Sequence, residues 1–313
     1  MSGRFTDLSK GLRTSRIDSR ILWPMSTRAT AFLYGVLACL SWAFGSVLTK
    51  AALSHAEPMA VLSGQLTASV VGLWVTSLVR GSEIRLDDWR IGLPGLLQPG
   101  LAYGLSTIGL ALVPASLEAM IFTIETPLIL LLAWPLLGER PTRSLTALGL
   151  LAFAGVIILT WRPEIGEVSR HGFAVLLIVS GAAFAALYSI AIRRMSADVD
   201  ALRLTRASQT VGWLAVIIVW SATRNADAPD LTMIDGAMIA GSGLLLNAIP
   251  FFLYGVVLER ASATFAALLL PLIPVLTAAI AFGVLGETLN SLQWFGAMLV
   301  LSSVVALSLT TTH

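Results

Sequence analysis

The sequence predicts an all-α integral membrane protein with ten transmembrane helices, arranged as two inverted five-helix repeats. Of its 313 residues, 56% are hydrophobic and only 12% are charged, and the mean hydropathy is +0.84. Soluble domains carry about 25% charged residues, so this composition is typical of a bilayer protein. Two further observations give the helix count and the arrangement: ten apolar runs, and an internal repeat of about 150 residues.

The ten runs each have, or nearly have, the roughly 20 apolar residues that cross a hydrocarbon core of about 30 Å. In chain order they are 29–49, 58–79, 91–117, 115–137, 144–161, 172–192, 207–223, 236–258, 261–286 and 288–312. The fourth run lies between Pro114 and Gly138, and it alone contains two carboxylates. The short runs 144–161 and 207–223 are expected to extend into flanking residues. No connection is long enough for a soluble catalytic domain.

The repeat determines the predicted topology. Leu136-Leu137-Gly138-Glu139 closes the fourth run, and Val284-Leu285-Gly286-Glu287 closes the ninth, 148 residues later. Upstream, Pro114-Ala115-Ser116-Leu117 matches Ser262-Ala263-Thr264-Phe265. Five is an odd number, so the second unit (170–312) must enter the membrane from the side opposite to the first (29–162). Inverted repeats of this kind are typical of secondary transporters, with a substrate site near the midplane between the halves.

Charge distribution orients the chain. If the N-terminus is cytoplasmic, inside segments hold sixteen Lys and Arg residues and outside segments hold four. Positive charge is retained inside, which predicts a multi-pass protein of the inner (cytoplasmic) membrane with both termini in the cytoplasm. Residues 1–28 are polar and Arg-rich and lack the apolar core of a secretory signal. They are interpreted as a cytoplasmic tail; alternatives are an organellar targeting peptide, which Asp7 and Asp18 disfavour, or a start at Met25.

The two units resemble the EamA-type members of the drug/metabolite transporter superfamily. The matching segments are Ser41-Trp42-Ala43-Phe44-Gly45-Ser46 with Lys50, Ala186-Leu187-Tyr188-Ser189 with Arg193-Arg194, and Pro274 twelve residues before Gly286. Pro127 stands eleven residues before Gly138, a departure of one residue. The resemblance implies a ten-helix transporter of small polar metabolites. The family includes amino-acid exporters, nucleotide-sugar antiporters and exporters of drugs or cations.

Glu125 is the strongest candidate for a substrate or proton site. An ionised carboxylate at the centre of a membrane helix costs about 2.5–3.5 kcal/mol, so it should face the protein interior or a wet cavity. Pro127 cannot donate to the carbonyl of Thr123 and predicts a kink there. The alternative is a protonated glutamate that bonds a neighbouring helix. Glu118, about 10 Å nearer the outer surface, is either the mouth of the same cavity or an interfacial carboxylate.

The other candidate substrate-binding residues carry aromatic or amide groups: Trp42, Gln98, Tyr103, Tyr188, Asn247 and Tyr254. Asn247, Phe251 and Tyr254 share one face of the eighth helix, whereas Gln98 and Tyr103 share no simple face, so at least one of these two could point elsewhere. Predicted helix kinks are Pro99, Pro127, Pro250 and Pro274. For each polar group the alternative is an interhelical hydrogen bond, worth about 0.6 kcal/mol; this also applies to Gln65 and Gln209.

Four more residues have structural interpretations. Lys50 ends the first helix on the outer side, either as an interfacial anchor or as part of an external gate. Glu139 and Glu287 are interpreted as helix-capping groups next to a glycine that ends a helix. Gly100 and Gly104 form a small-xxx-small pair that predicts close helix packing.

The sequence predicts no enzyme. It contains no Gly-Lys dipeptide and therefore no P-loop. His55, His171 and His313 lie outside the predicted spans, which disfavours a Ser–His hydrolase and a His-ligated metal site. A membrane enzyme with Glu125 and Glu118 as acid and base remains an alternative without a nucleophile.

The expected partners are therefore a small-molecule substrate and the lipid bilayer, with no cofactor, metal or nucleic acid. Family analogy favours an amino acid or related compound in the export direction. Cationic or amphipathic drugs and sugars or nucleotide sugars are the alternatives. Phosphorylated anions are less favoured because the predicted helix interiors contain no arginine. Proton coupling and the choice between monomer and homodimer stay open.

Overall fold

A computed structural model describes residues 27–113, 118, 121–160, 172–223, 232–285 and 290–309. Within these ranges every regular element is helical. Residues 1–26 of the predicted tail, the matched segment 114–117 and the second Gly-Glu pair at 286–287 lie outside the described residues, as do His171 and His313.

Thirteen α-helices lie in the described ranges, with one 3-10 and two π segments between them. In the first half they are α1 (Thr27–Ala52), α2 (Pro58–Val79), α3 (Asp88–Ile91), α4 (Ala102–Leu112), α5 (Glu125–Leu137) and α6 (Arg143–Thr160). In the second half they are α7 (Gly172–Met195), α8 (Ala201–Thr223), α9 (Met233–Gly243), α10 (Ile249–Arg260), α11 (Ala263–Ala267), α12 (Leu272–Leu285) and α13 (Ser291–Leu309). The 3-10 segment is Leu93–Leu96, the first π segment is Leu97–Leu101 and the second is Leu244–Ala248.

Five helical stretches in the described part of the chain are long and apolar enough to cross a membrane. They are Ala29–Ala52, Pro58–Val79, Gly172–Met195, Met233–Arg260 and Ala263–Ile280. Glu125–Leu137, Arg143–Leu159 and Ser291–Leu307 are apolar but shorter. The prediction of an all-helical membrane protein is confirmed at this level, and the count of ten crossings stays a prediction.

The helices of the two halves pack in matching pairs. α1 packs against α10 and α12, and α7 packs against α4 and α5. α2 packs against α9, as α8 packs against the 3-10 segment, and α6 packs along α13. Most of the buried apolar side chains form one cluster, to which helices of both halves contribute.

α2 and α8 run antiparallel and exchange equivalent hydrogen bonds. The indole N–H of Trp74 donates to Thr210 Oγ1 at 3.1 Å, and that of Trp213 donates to Thr67 Oγ1 at 2.9 Å. Each helix therefore contributes one tryptophan donor and one threonine acceptor. Such reciprocity is expected of elements related by a twofold axis.

α6 and α13 meet at two glycines. A Cβ atom on Gly296 would clash with the amide nitrogen of Leu159 and would lie 2.6 Å from the carbonyl oxygen of Gly155. Because both neighbours are backbone atoms, the helices must separate to admit even a methyl group.

We therefore expect Gly296→Ala to lower the stability of the folded protein by about 1–3 kcal/mol, the usual cost of overpacking. Thermal unfolding in detergent measures this. Gly236→Ala in α9 is the matched control, because no atom lies within 4 Å of its Cβ position. It should be neutral or stabilising. Equal melting temperatures for the two variants would contradict the packing argument.

Helix discontinuities precede three of the four predicted kink prolines. Gln98, in the first π segment, has extended backbone angles (φ −148°, ψ 124°). This conformation is favoured before proline, and it breaks the helix between the 3-10 segment and Pro99. A turn at residues 123–124 precedes α5, and a turn at 268–271 precedes α12. Pro127 and Pro274 are each the third residue of the helix that follows.

The two turns share one hydrogen-bond pattern. Proline has no N–H, so the carbonyl four residues before it loses its helical donor. The residue just before each proline replaces that donor: Thr126 N–H donates to Thr123 O at 3.1 Å, and Ile273 N–H donates to Leu270 O at 2.9 Å. Pro250 differs, because the second π segment directly precedes α10 and the chain stays helical from α9 onward.

The expected close packing at Gly104 is wrong, because no atom lies within 4 Å of its Cβ position. The Cβ position of Gly100 meets only backbone atoms of Gly95, five residues earlier in the chain, the nearest at 3.0 Å. The close approaches instead involve Gly95, which faces the carbonyl of Ser208, and Gly243, which faces the backbone of Gln65.

Asp88, at the start of α3, joins the first half to α8. Its carboxylate accepts from Arg203 Nη2 at 2.7 Å and from Arg206 Nη2 at 2.6 Å. Burial alone would raise the pKa of Asp88, but hydrogen bonds from Arg203, the N–H of Arg85 and Arg206 outweigh it and lower the pKa below 3.8.

This depressed pKa predicts a pH-dependent stability. Because the folded-state pKa lies below the unfolded one, the stabilisation is complete above about pH 4 and is lost as pH falls through the folded value. The melting temperature should therefore fall more steeply below about pH 4 in the unaltered protein than in Asp88→Asn. Parallel pH curves for the two proteins would contradict the prediction.

Candidate substrate site

Five aromatic side chains from four helices meet inside the protein. Phe251 of α10 lies at the centre, with ring centroids 5.8 Å from Trp42, 5.7 Å from Tyr103 and 5.5 Å from Tyr188. Tyr254, one turn further along α10, lies 5.5 Å from Trp42. The interplanar angles of 60–88° bring ring edges toward ring faces, the arrangement that the ring quadrupoles favour. We call these five residues the aromatic cluster.

The break in the helix at Gln98 explains how Tyr103 enters this cluster. The indole N–H of Trp42 hydrogen-bonds the Tyr103 hydroxyl at 3.1 Å, and the buried Gln98 side chain interacts with the same hydroxyl. In a regular helix Gln98 and Tyr103 would not share a face. The extended backbone of Gln98 changes that geometry, so the expectation that at least one could point elsewhere does not hold.

Glu125 lies next to the aromatic cluster. It is the first residue of α5, after the turn at 123–124, rather than the middle of a continuous helix. A carboxylate is favoured there, because the first N–H groups of a helix carry partial positive charge. Its carboxyl group interacts with the hydroxyl of Ser189 and acts electrostatically on Tyr103 and Tyr254.

Glu125 keeps some accessible surface although its neighbours are buried. Ser189, Tyr188 and Tyr254 are almost completely buried, yet Glu125 and Tyr103 are only half-buried. A carboxylate that keeps accessible surface among buried neighbours borders open space. The sequence did not identify Ser189; its position directly after the candidate Tyr188 was the available signal.

Glu118 belongs to a different polar group, at the C-terminal end of α4. Ser106 Oγ donates to its carboxylate at 2.6 Å, and the Lys50 ammonium attracts it electrostatically. Lys50 itself donates to the carbonyls of Leu110 and Val113, at 3.2 and 3.4 Å. Lys50 therefore caps the C-terminal end of α4, where a cation is favoured.

Asn247 is fully buried in the second π segment, one turn before Phe251. Within the described residues neither its Oδ1 nor its Nδ2 has a hydrogen-bond partner. Buried amides nearly always have partners, so a solute or water would satisfy it. Gln65 instead donates to Thr49 and Ser242, at 2.7 and 2.8 Å, as an interhelical connection.

Gln209 is also fully buried, and its Oε1 accepts from Ser69 Oγ at 3.3 Å. Among the residues that the structure describes, no group of three or more His, Cys, Asp or Glu side chains could hold a metal ion. The structure thus brings Trp42, Gln98, Tyr103, Tyr188, Tyr254 and Glu125 together and places Asn247 beside them. The described contacts of Glu118 are with Ser106 and Lys50 instead.

Comparisons with known proteins agree with this architecture. A model of the EamA-like transporter family matches residues 29–161 and again residues 172–309. "Uncharacterized transporter YvbV" of Bacillus subtilis (strain 168) is 29% identical over 286 residues, which cover 88% of this chain and 90% of that protein. "Uncharacterized transporter YcxC" of the same organism is 29% identical over 188 residues, 59% of each chain. A solved crystal structure, 18% identical, matches with a TM-score of 0.72 over 90% of this chain and 97% of its own, which shows a shared fold.

Proposed function

Because the chain belongs to the EamA-like transporter family, we propose that it is a secondary transporter that moves a small polar metabolite by alternating access. Ten crossings in two inverted five-helix repeats, 29–162 and 170–312, would place Glu125 near the membrane midplane. Both termini would lie in the cytoplasm, and the membrane would be the inner (cytoplasmic) one. The family assignment argues against an enzyme that uses Glu125 and Glu118 as acid and base.

The reciprocal contacts of the halves support the inverted arrangement. α2 and α8, the second helix of each half, are antiparallel, as equivalent helices of inverted units must be, and they exchange Trp–Thr hydrogen bonds. The matched turns before Pro127 and Pro274 are 147 residues apart, close to the 148 of the Leu-Gly-Glu motif. Substrate sites of inverted-repeat transporters lie between such halves at broken helices.

The observation that carries the proposal is the position of the Glu125 carboxylate beside the aromatic cluster. Glu125 would bind a positively charged amine, while the aromatic cluster would contact the amine and the apolar body of the solute. The unpartnered amide of Asn247 could donate to a second polar group. This fits an amino acid or a related compound, and export is the proposed direction.

A second candidate substrate is an organic cation without a carboxylate. Within the described ranges, no Lys or Arg pairs with Glu125 or lies over a ring of the aromatic cluster. An amino-acid carboxylate would therefore depend on neutral donors alone. The same lack of cations argues against nucleotide sugars and other phosphorylated solutes.

Uptake into proteoliposomes tests the proposal and separates the two substrate classes. The purified protein is offered labelled amino acids and labelled quaternary ammonium compounds, with and without a pH gradient. Uptake of an amino acid supports the first candidate, and uptake of the ammonium compounds alone supports the second. A response to the pH gradient indicates proton coupling. If no solute of either class enters, the proposed substrate chemistry is wrong.

A further inference from the structure

We propose that two polar clusters on the cytoplasmic side lock the halves together, and that breaking them opens the path from the cytoplasm to Glu125. This inference rests on the proposed transport by alternating access. The clusters are centred on Asp88 and on Glu139, and we call them the cytoplasmic lock. Each takes its carboxylate from the first half and its cations from the second.

The Asp88 cluster is almost closed to solvent. Besides its bond to Asp88, Arg206 donates to the carbonyl of Glu83 at 2.9 Å, and its guanidinium lies 5.0 Å from the ring centroid of Trp74. The side chain of Arg206 is 1% exposed. Charged hydrogen bonds with little solvent around them are stronger than exposed pairs, so α8 is held firmly to α3 and to the residues just before it.

The Glu139 cluster joins α5 to three segments of the second half. One carboxylate oxygen accepts from Arg193 Nε at 2.9 Å, and the other accepts from the N–H of Ala263 at 2.8 Å. Arg193 also donates to the carbonyl of Leu258 at 3.0 Å. Glu139 therefore caps α11 across the molecule rather than the helix that follows it in sequence. Gly138, with φ +72°, ends α5 as predicted.

The opposite face has no equivalent lock in the described residues. Asp235, the third residue of α9, lies 147 residues after Asp88, the first residue of α3. Its carboxylate closes a capping box with Thr232, and across the halves it meets only His55, at 4.0 Å. The His55 side chain is 58% exposed, and exposed pairs contribute little. Among the described residues, the less exposed ion pairs between the halves thus lie on the side of Asp88 and Glu139. That side is the one we propose to be closed, so Glu125 would be reached from the outside.

A buried reporter cysteine tests the lock. Cys39 is the only cysteine, so Cys39→Ser gives a thiol-free background. Thr205→Cys adds the reporter: its side chain is buried, and its hydroxyl lies 3.4 Å from Phe251 O, between the aromatic cluster and the Arg203–Arg206 pair. Inside-out vesicles are treated with a membrane-impermeant thiol reagent, and the rate of labelling is measured.

We expect Asp88→Asn and Glu139→Gln each to increase this rate about tenfold or more, a shift of about 1.4 kcal/mol. Glu139→Gln keeps an acceptor for the Ala263 N–H and removes only the charge that pairs with Arg193. Glu83→Gln is the matched control, because Glu83 also bonds Arg203 but is 62% exposed. Its effect should stay below about twofold. Asp88→Glu, which keeps the charge, should label more slowly than Asp88→Asn.

Unchanged labelling in both lock variants would overturn the proposal. So would an equal increase with Glu83→Gln, or an equal increase when the reagent is added to right-side-out vesicles, since these indicate general loosening. The assay uses no substrate, so it can be read even if the uptake panel fails. Conversely, uptake without any change in labelling would overturn the lock alone and leave the proposed function intact.

Discussion

Glu125→Gln is expected to reduce the rate of transport of an amine-bearing substrate about 100-fold or more. The lost charge pair in a water-poor site is worth about 2–5 kcal/mol, and glutamine keeps the size of the side chain. Initial rates in proteoliposomes measure the effect. Any dependence of uptake on a pH gradient should disappear in the same variant, because glutamine cannot take up or release a proton.

Glu118→Gln is the matched control for this change. Both glutamates lie in the predicted fourth helix, but Glu118 contacts Ser106 and the Lys50 group rather than the aromatic cluster. Its substitution should change transport much less. If the two variants lose activity equally, the carboxylates act in one cavity and the separation of the two groups is wrong. If Glu125→Gln transports normally, Glu125 is a packing group.

Phe251→Ala is expected to lower the stability of the folded protein by about 3–5 kcal/mol, the usual cost of removing a buried aromatic side chain. Phe251 contacts Trp42, Tyr103 and Tyr188, so its removal leaves three rings without their common neighbour. The Michaelis constant for the substrate should rise as well. Thermal unfolding in detergent and the concentration dependence of uptake measure the two effects.

Two variants separate packing from recognition. Phe251→Leu should recover much of the stability but not the affinity, because leucine fills space without an aromatic face. Phe252→Ala is the positional control: its half-buried ring packs outside the aromatic cluster, near Leu73, Leu202 and Ala248. A loss of affinity equal to that of Phe251→Ala would contradict a specific role for Phe251.

The lengths of the helices follow closely from the sequence where an apolar run is uninterrupted. The predicted run 58–79 coincides with α2, and 172–192 and 144–161 differ from α7 and α6 by three residues or fewer at their ends. The reason is physical, since backbone groups in a bilayer must be satisfied within one helix for its whole span. The overlapping runs 91–117 and 115–137 were less well predicted, because the breaks at Gln98 and at residues 123–124 interrupt them.

The candidate site could be predicted in part for a related reason. A carboxylate in an apolar run is costly, so Glu125 stands out on the sequence alone. The sequence does not show which helices surround Glu125. Ser189 lies 64 residues away in sequence, and the shared contact of Gln98 and Tyr103 depends on a local break in the backbone.

By itself, the sequence determined the membrane class, the approximate helix ends and the repeat, and it singled out Glu125 as a candidate, because each depends on the polarity of a local segment. Tertiary structure decided the hydrogen-bond partners of the polar side chains. Lys50 caps α4, Glu139 caps α11 of the other half, and Glu118 joins a separate group. These pairings join residues 12 to 124 positions apart, and only the packing of whole helices brings such groups within hydrogen-bond distance.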